Sequence, residues 1–378
     1  VGLILGAILG IAVPQATGIA ILGDVFVSAL KAIAPLLVFF LVISSLCNAG
    51  KSHGGVIKTV IILYMFSTVL AAVIAVFASM AFPVKMTLAN AATDTSAPQG
   101  IVEVLNNLLL NVVANPVSSL VNANYVGILM WAVLLGLAFR VADKMTKKVL
   151  ADVADGISMV VTWIINLAPF GIFGLVFNTV STNGLDIFTT YGKLLLLLVG
   201  CMLFIYFVTN PLLVYWCIRQ NPYPLIFQCL KRSALTAFFT RSSAANIPVN
   251  MKVCEEMGLD RDTYSVTIPL GATINMDGAA ITITVMTMAT AFTLGIHVDI
   301  PTAIILSLLA ALSACGASGV AGGSLLLIPM ACSLFGISDD ISMQVVAVGF
   351  IIGVVQDSVE TALNSSSDLL LSASAEFR

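Results

Sequence analysis

Residues 268–279 decide the fold, and they read Ile268-Pro269-Leu270-Gly271-Ala272-Thr273-Ile274-Asn275-Met276-Asp277-Gly278-Ala279. Apolar sequence continues on both sides, from about 264 to 294, for the length that a membrane-spanning helix needs. A proline, two glycines, an asparagine and an aspartate in its middle predict a helix that unwinds. Unwinding frees main-chain carbonyl oxygens. Together with the Asn275 amide and the Asp277 carboxylate, they form the oxygen set that a small cation such as Na⁺ accepts.

The composition of the whole chain fits a protein that lives in a bilayer. Of 378 residues, 9% are charged and 59% are hydrophobic, whereas ordinary soluble domains carry roughly 25% charged residues. The chain is therefore predicted to be an all-α polytopic membrane protein. No run rich in Lys and Arg interleaved with aromatic residues occurs, so nucleic acid is excluded as a partner. The seven scattered cysteines and two histidines form no metal-binding spacing, and we expect the thiols to pack in the interior.

Apolar segments long enough to cross the membrane recur along the chain. They cover 22–49, 56–82, 125–141, 149–180, 194–218 and 264–294, and 1–13 resembles the end of another. Because Val1 is not a methionine and already lies in an apolar run, we expect a stretch of chain before it.

Two shorter apolar runs, 225–239 and 303–312, each lead into a cluster of small polar residues, at 240–246 and 313–324. Each cluster is followed by further apolar sequence, which predicts two hairpins that enter the membrane and return. Such elements are typical of transporters with a binding site near the bilayer midplane. The alternative is a pair of solvent loops rich in Ser and Gly.

The distribution of basic residues supports this topology. Of sixteen Lys and Arg, twelve fall in the predicted inside loops, and two, Lys85 and Lys193, in the outside loops. Lys31 and Arg241 lie within membrane segments.

The last apolar segment carries a polar stripe. Asp357, Glu360 with Thr361, Asn364 and Asp368 follow at helical spacing and share one face. Each aspartate in a membrane helix costs about 2.5–3.5 kcal/mol, so a functional cavity is the default interpretation. The alternative is an amphipathic helix lying in the membrane interface.

Four motifs together resemble the dicarboxylate/amino acid:cation symporters, the glutamate-transporter family. They are Thr240-Arg241-Ser242-Ser243, the run 271–278, the Gly-rich second hairpin and the Asp357…Asn364…Asp368 helix. The resemblance implies eight transmembrane helices, two re-entrant hairpins and a homotrimer in the bacterial inner membrane. It implies a static scaffold (1–55 and 100–185) and a transport domain (56–99 and 186–378) that moves like an elevator. The transport domain includes the sixth transmembrane helix and hairpins at about 222–257 and 301–336. It also includes a broken helix at about 262–295 and a last helix at about 338–376.

The resemblance also implies a substrate site at the two hairpin tips and the last helix. Its residues are Arg241, Ser242, Ser243, Gly319, Val320, Asp357, Glu360, Thr361 and Asn364. Ser243 and Asn364 would hold the substrate α-carboxylate, and Asp357 would meet the α-ammonium group. Gly319 and Val320 would close over the substrate.

Three Na⁺ positions follow from the same resemblance. One would use Asp368 with carbonyls of Gly271, Asn275 and Asn364. A second would use carbonyls near Thr273, Ala314 and Ala317. A third would lie near Tyr64, Ser67, Thr68, Asn275 and Asp277.

Departures from the family pattern concern the substrate side chain. Where acidic-amino-acid transporters carry an arginine, this chain has Glu360, which repels a second carboxylate. The family's threonine after the broken-helix motif is Ala279, and the proline of the second hairpin is Ala321. These differences favour L-serine and L-threonine, as in the family's serine/threonine:sodium branch. We also expect Arg241 to pair with Glu360 or Asp357 and to keep Glu360 pointed at the substrate hydroxyl.

Other functions fit the residues less well. A sodium-dependent neutral amino acid exchanger and a dicarboxylate or acidic amino acid symporter stay open as alternatives within the same family. An intramembrane protease would need a catalytic dyad, but both histidines fall in predicted loops. An ion channel would need a single filter, whereas two hairpins and a broken helix favour occlusion.

Overall fold

Long apolar helices dominate the chain in the computed structural model, which describes residues 2–48, 55–88, 110, 113–184, 187–315 and 322–378. The first seven helices are α1 (Gly2–Ala12), α2 (Ala20–Asn48), α3 (Gly55–Ala81), α4 (Pro116–Val121), α5 (Tyr125–Ala138), α6 (Lys144–Asn166) and α7 (Ala168–Asn183). They are followed by α8 (Ile187–Phe204), α9 (Asn210–Ile218), α10 (Tyr223–Cys229), α11 (Leu235–Thr240), α12 (Ser243–Glu256), α13 (Arg261–Ile274) and α14 (Asp277–Thr293). The last are α15 (Ile300–Ala314), α16 (Ile328–Ser333) and α17 (Asp339–Glu376).

Six helical segments in the described ranges are long and apolar enough to cross a membrane. They are Thr17–Asn48, Gly55–Ala81, Lys144–Asn166, Phe188–Ile218, Arg261–Thr293 and Asp339–Glu376. The structure thus agrees with a polytopic all-α membrane protein.

The single span predicted over 149–180 is wrong, because the structure divides it into α6 and α7. The break lies at Leu167, whose N–H bonds to the Ile164 carbonyl in a tightened last turn. Pro169 then occupies the first turn of α7. Backbone N–H groups in a first turn make no hydrogen bond within the helix, so proline is tolerated there although it has no N–H. Periodic apolar sequence runs through this point, so hydropathy alone did not reveal the break.

The first predicted hairpin is a helix–turn–helix in the structure. The α10–α11 segment includes a π-helical turn at Leu230–Ala234 and ends at Arg241, which adopts the left-handed conformation with φ 50°. The Ser242 hydroxyl then caps α12 by accepting from the Ala245 N–H at 3.2 Å. How deeply this pair enters a bilayer remains a prediction.

The second predicted hairpin is described on both sides of its tip. Helix α15 leads to Cys315, and a 3₁₀ turn at Gly323–Leu327 continues into α16. Residues 316–321, which include its predicted tip, lie outside the described residues.

Helix α17 runs through the interior of the molecule. It packs against α11, α12, α13 and α14, and nearly every residue from Ile341 to Ala375 is buried or half-buried. An amphipathic helix at the membrane interface would leave one face exposed to water. The interfacial-helix alternative is therefore wrong. Helices α1, α2, α5, α6 and α7 pack mainly with one another, and Gly6 of α1 brings the backbone of α7 close.

Candidate functional site

The predicted unwinding is confirmed at Asn275 and Met276, between α13 and α14. Their φ/ψ angles are −95°/79° and −118°/51°, both outside the helical region. Side chains from other helices bond to the backbone that the break exposes. The Met276 N–H donates to Thr68 Oγ1 at 3.2 Å, and the Gly278 N–H donates to Asn364 Oδ1 at 2.7 Å. Helices α3 and α17 therefore hold the two half-helices in place.

Asp277 begins α14 and is fully buried. Its two carboxylate oxygens accept hydrogen bonds from Ser67 Oγ at 2.7 Å and Thr68 Oγ1 at 3.1 Å, both on α3. No basic residue in the described part of the chain forms an ion pair with it. A buried charge without a basic partner is costly, so the site favours a bound cation.

Asp368 lies deep on α17, where it meets both α13 and α3. Asn275 Nδ2 donates to Asp368 Oδ1 at 2.9 Å, and the Tyr64 hydroxyl donates to the Asp368 main-chain carbonyl at 2.9 Å. Gly271 permits this approach, since a Cβ there would stand 2.8 Å from Asp368 Oδ1. The oxygen of the Asn275 amide, Oδ1, is buried without a hydrogen-bond partner among the described residues.

Asn275 bonds to one buried carboxylate, Asp368, and precedes the other, Asp277, by two positions, so its unpartnered carboxamide oxygen fits a hard cation. Oxygen atoms of carboxylates, hydroxyls and amides are the ligands that small cations without redox chemistry prefer. The sequence-predicted residues that the structure brings together here are Tyr64, Ser67, Thr68, Gly271, Asn275, Asp277, Asn364 and Asp368.

The region of the second predicted Na⁺ position is described only in part. Ala314 ends α15 fully buried, and Cys315 Sγ lies 3.7 Å from the Ile274 carbonyl at the break. The Thr273 hydroxyl donates to its own helix at the Leu270 carbonyl, 2.7 Å away. Ala317 lies outside the described residues, as do Gly319 and Val320 of the predicted gate.

Arg241 and Asp357 face a common cavity of about 380 Å³. Gly322, Leu325 and Phe350 also line it, and the Gly322 N–H donates to Asp357 Oδ1 at 3.2 Å. Ser243 and Thr361, the remaining predicted substrate residues of the tip and stripe, are buried, whereas Ser242 is half-buried as the cap of α12. The cavity thus offers one cationic and one anionic side chain.

Glu360 differs from the expectation. Its Oε2 accepts from Thr282 Oγ1 at 2.7 Å, from Ser324 Oγ at 2.9 Å and from Gln356 Nε2. No ion pair joins it to Arg241 in the described ranges. Of the two partners expected for Arg241, Glu360 is therefore wrong, whereas Asp357 lines the same cavity as Arg241. Neutral donors from three elements surround the buried Glu360 carboxylate and take the place of a basic partner.

Sequence reasoning missed several members of this network. Gln356 lies four residues before Glu360 on the same helix, and that spacing could have revealed it. Thr282 and Ser324 come from distant parts of the chain, and no local pattern marks them. The same holds for Asn210, whose Oδ1 lies 3.4 Å from Ser67 Oγ. Ser372 was missed too, although it hydrogen-bonds to Tyr64 at 2.7 Å.

Comparison with known proteins agrees with this arrangement of motifs. Serine/threonine transporter SstT of Bifidobacterium adolescentis is 60% identical over 378 residues, which cover 100% of this chain and 88% of that protein. Serine/threonine transporter SstT of Streptococcus agalactiae serotype Ia is 58% identical, and that of Streptococcus thermophilus LMG 18311 is 56% identical. Both alignments cover 377 residues, 100% of this chain and 94% of each relative.

The family described as the sodium:dicarboxylate symporter family matches residues 1–376. This match extends over the broken helix, both helix pairs and the polar stripe of α17. The chain belongs to the sodium:dicarboxylate symporter family.

Proposed function

We propose that the protein is a secondary active transporter that couples the uptake of L-serine and L-threonine to Na⁺. The observation that carries this proposal is the pair of buried carboxylates, Asp277 and Asp368, which lie among oxygen donors without a basic partner in the described part of the chain. The relatives are named serine/threonine transporters, which supports the choice of substrate.

Na⁺ is cargo in this proposal, and the protein binds it with its own oxygens. Asp277 would bind one ion together with Ser67, Thr68, Tyr64 and Asn275. The unpartnered Oδ1 of Asn275 supports this site. Asp368 would bind another with carbonyls of Gly271, Asn275 and Asn364. A third ion would use Thr273, Ala314 and Ala317.

The energy available from one ion is large enough for uphill transport. A charge that crosses about 100 mV contributes about 2.3 kcal/mol, and a tenfold Na⁺ gradient contributes about 1.4 kcal/mol. Together they support several-hundred-fold accumulation of substrate for each ion.

The amino acid would lie between the hairpin tips and α17. Asp357 would bind the α-ammonium group, since it is an acidic side chain that lines the cavity. Asn364 and Ser243 would hold the α-carboxylate, and Gly319 with Val320 would close the site. Arg241, Ser242 and Thr361 complete the proposed lining.

Glu360 would select the substrate through its charge. It is fixed by Thr282, Ser324 and Gln356, one helical turn from Asp357. A second carboxylate on the substrate would enter a region of low dielectric beside this charge, which disfavours aspartate and glutamate. A neutral substrate avoids that penalty.

The packing of the helices supports alternating access by relative movement. Within the proposal, α1, α2 and α4–α7 form a static scaffold in a homotrimer. Helices α3 and α8–α17 carry the site and move as an elevator in the bacterial inner membrane, surrounded by lipid. The two groups pack mainly within themselves, which favours movement of one against the other.

Uptake by purified protein in liposomes tests the function. Labelled L-serine should accumulate when Na⁺ is present outside, and a negative potential inside should increase the uptake. Choline in place of Na⁺ should abolish accumulation, and excess L-threonine should compete whereas L-aspartate should not. Serine uptake that is equal in choline and Na⁺ would contradict the proposal.

A further inference from the structure

Asn210 is a buried polar residue that neither the sequence motifs nor the proposed binding sites include. It begins α9, is fully buried and lies beside the Asp277 carboxylate, to which it connects through Ser67. Ser67 Oγ lies 2.7 Å from Asp277 Oδ2 and 3.4 Å from Asn210 Oδ1. The other amide atom, Asn210 Nδ2, is buried without a hydrogen-bond partner among the described residues.

The local backbone explains how Asn210 reaches this position. A π-helical turn at Ile205–Thr209 precedes it, and Pro211 follows. Pro211 lacks the N–H that would bond to the Phe207 carbonyl four residues earlier, and the Tyr223 hydroxyl donates to that carbonyl at 3.3 Å. The π turn rotates the following residues relative to a regular helix, and Asn210 points into the protein.

The hydroxyl of Ser67 has one hydrogen and two acceptors in reach. Without a cation, the nearer acceptor is Asp277. A cation at that carboxylate would repel a hydrogen pointing toward it, so Ser67 could present its lone pairs to the ion only by donating elsewhere. Thr68 has such an acceptor within its own helix, the Tyr64 carbonyl at 3.0 Å. For Ser67, the acceptor that the structure provides is Asn210 Oδ1.

We propose that Asn210 is a positioning residue of the cation site at Asp277. It accepts the Ser67 hydroxyl hydrogen when Na⁺ binds, and it thereby frees the Ser67 oxygen to face the ion. This inference rests on the proposed Na⁺ coupling and adds a residue from α9 to the site on α3 and α14. Asn210 itself touches neither substrate nor, in this arrangement, the ion.

Sodium titration of thermal stability without serine tests the inference, because a ligand that binds the folded state raises its stability. Asn210→Leu removes the acceptor at similar size, and we expect about fivefold more Na⁺ at half-saturation, the effect of one hydrogen bond. Asn210→Asp retains an oxygen acceptor. Its Na⁺ concentration at half-saturation should therefore lie within about twofold of the wild-type value or below it. Asn178→Leu, which removes a carboxamide that lines a separate cavity, is the matched control.

A double-mutant cycle separates positioning from a structural effect. In the Ser67→Ala background there is no hydroxyl hydrogen to accept, so Asn210→Leu should shift sodium half-saturation by less than about twofold. If Asn210→Leu does not fold, Asn210→Ala replaces it in the cycle. The inference would be overturned if Asn210→Leu shifted the Na⁺ concentration at half-saturation equally with and without Ser67. It would also be overturned if the substitution caused no shift in either background. Wild-type protein that shows neither sodium stabilisation nor sodium-dependent uptake would instead overturn the proposed function on which it rests.

Discussion

The amide nitrogen of Asn275 donates to the carboxylate of Asp368 at 2.9 Å, which links the broken helix to α17 across 93 residues of sequence. Because both amide hydrogens lie on this nitrogen, the opposite atom, Oδ1, is left as an acceptor without a donor among the described residues. One residue at the break thus orients a carboxylate and offers an oxygen in the same buried region.

Asp368→Asn should lower sodium-dependent serine uptake by more than about tenfold. The variant keeps the size of the side chain and removes the charge that would bind the ion. Uptake at several Na⁺ concentrations measures the effect, and size-exclusion elution should match the wild type, since no packing group is lost. Asp152→Asn, at an exposed position on α6, should behave like wild type. Unchanged sodium dependence in Asp368→Asn would mean that α17 holds no cation site.

Glu360→Gln should weaken the discrimination against aspartate. Like charges about 10 Å apart repel by about 1.7 kcal/mol at an effective dielectric constant of about 20, so aspartate should compete with labelled serine about twentyfold better in the variant. Gln retains an oxygen that accepts from Thr282 and Ser324. Serine affinity should change less than aspartate affinity. Equal competition by aspartate in both proteins would show that Glu360 does not set selectivity.

Gly278→Ala should impair both stability and uptake. A Cβ at Gly278 would stand 2.9 Å from the Glu360 Cα, and the last helix cannot yield there without disturbing the Gly278–Asn364 hydrogen bond. We expect a loss of about 1–3 kcal/mol, typical of overpacking, in denaturant or thermal unfolding. At Gly200 an added Cβ meets nothing within 4 Å, so Gly200→Ala is the control and should be neutral. Normal stability of Gly278→Ala would contradict the close packing of α14 on α17.

Tyr64→Phe should destabilise the contact of α3 with α13 and α17. The hydroxyl contacts the Asp368 carbonyl, Ser372 Oγ at 2.7 Å and the Thr267 carbonyl at 3.3 Å. Its loss leaves buried acceptors unpaired, at a cost of about 1–3 kcal/mol. Thermal unfolding measures this cost, with Tyr215→Phe at an exposed site as the control. Equal unfolding temperatures for the two variants would argue against these contacts.

The sequence by itself determined the features that depend on local pattern. A proline, glycines and polar residues within an apolar run predict the break at Asn275 and Met276, because those residue types disfavour a continuous helix. Helical spacing places Asp357, Asn364 and Asp368 on one face wherever that helix lies. Hydropathy likewise predicts most of the long helices, since each depends on about 20 consecutive residues.

Only the tertiary structure decided which side chains meet. Glu360 bonds to Thr282 and Ser324, and Ser67 reaches Asn210 across 143 residues. Helix periodicity carries no information about such contacts, because they depend on how separate helices pack. The division of 149–180 at Leu167 is different, because it is local: Pro169 stands in the first turn of the next helix, but the apolar pattern continues through this point and hydropathy alone did not reveal the break. The sequence therefore shows that polar residues lie within the apolar membrane segments. Which partners those residues contact depends on how the helices pack and bury them.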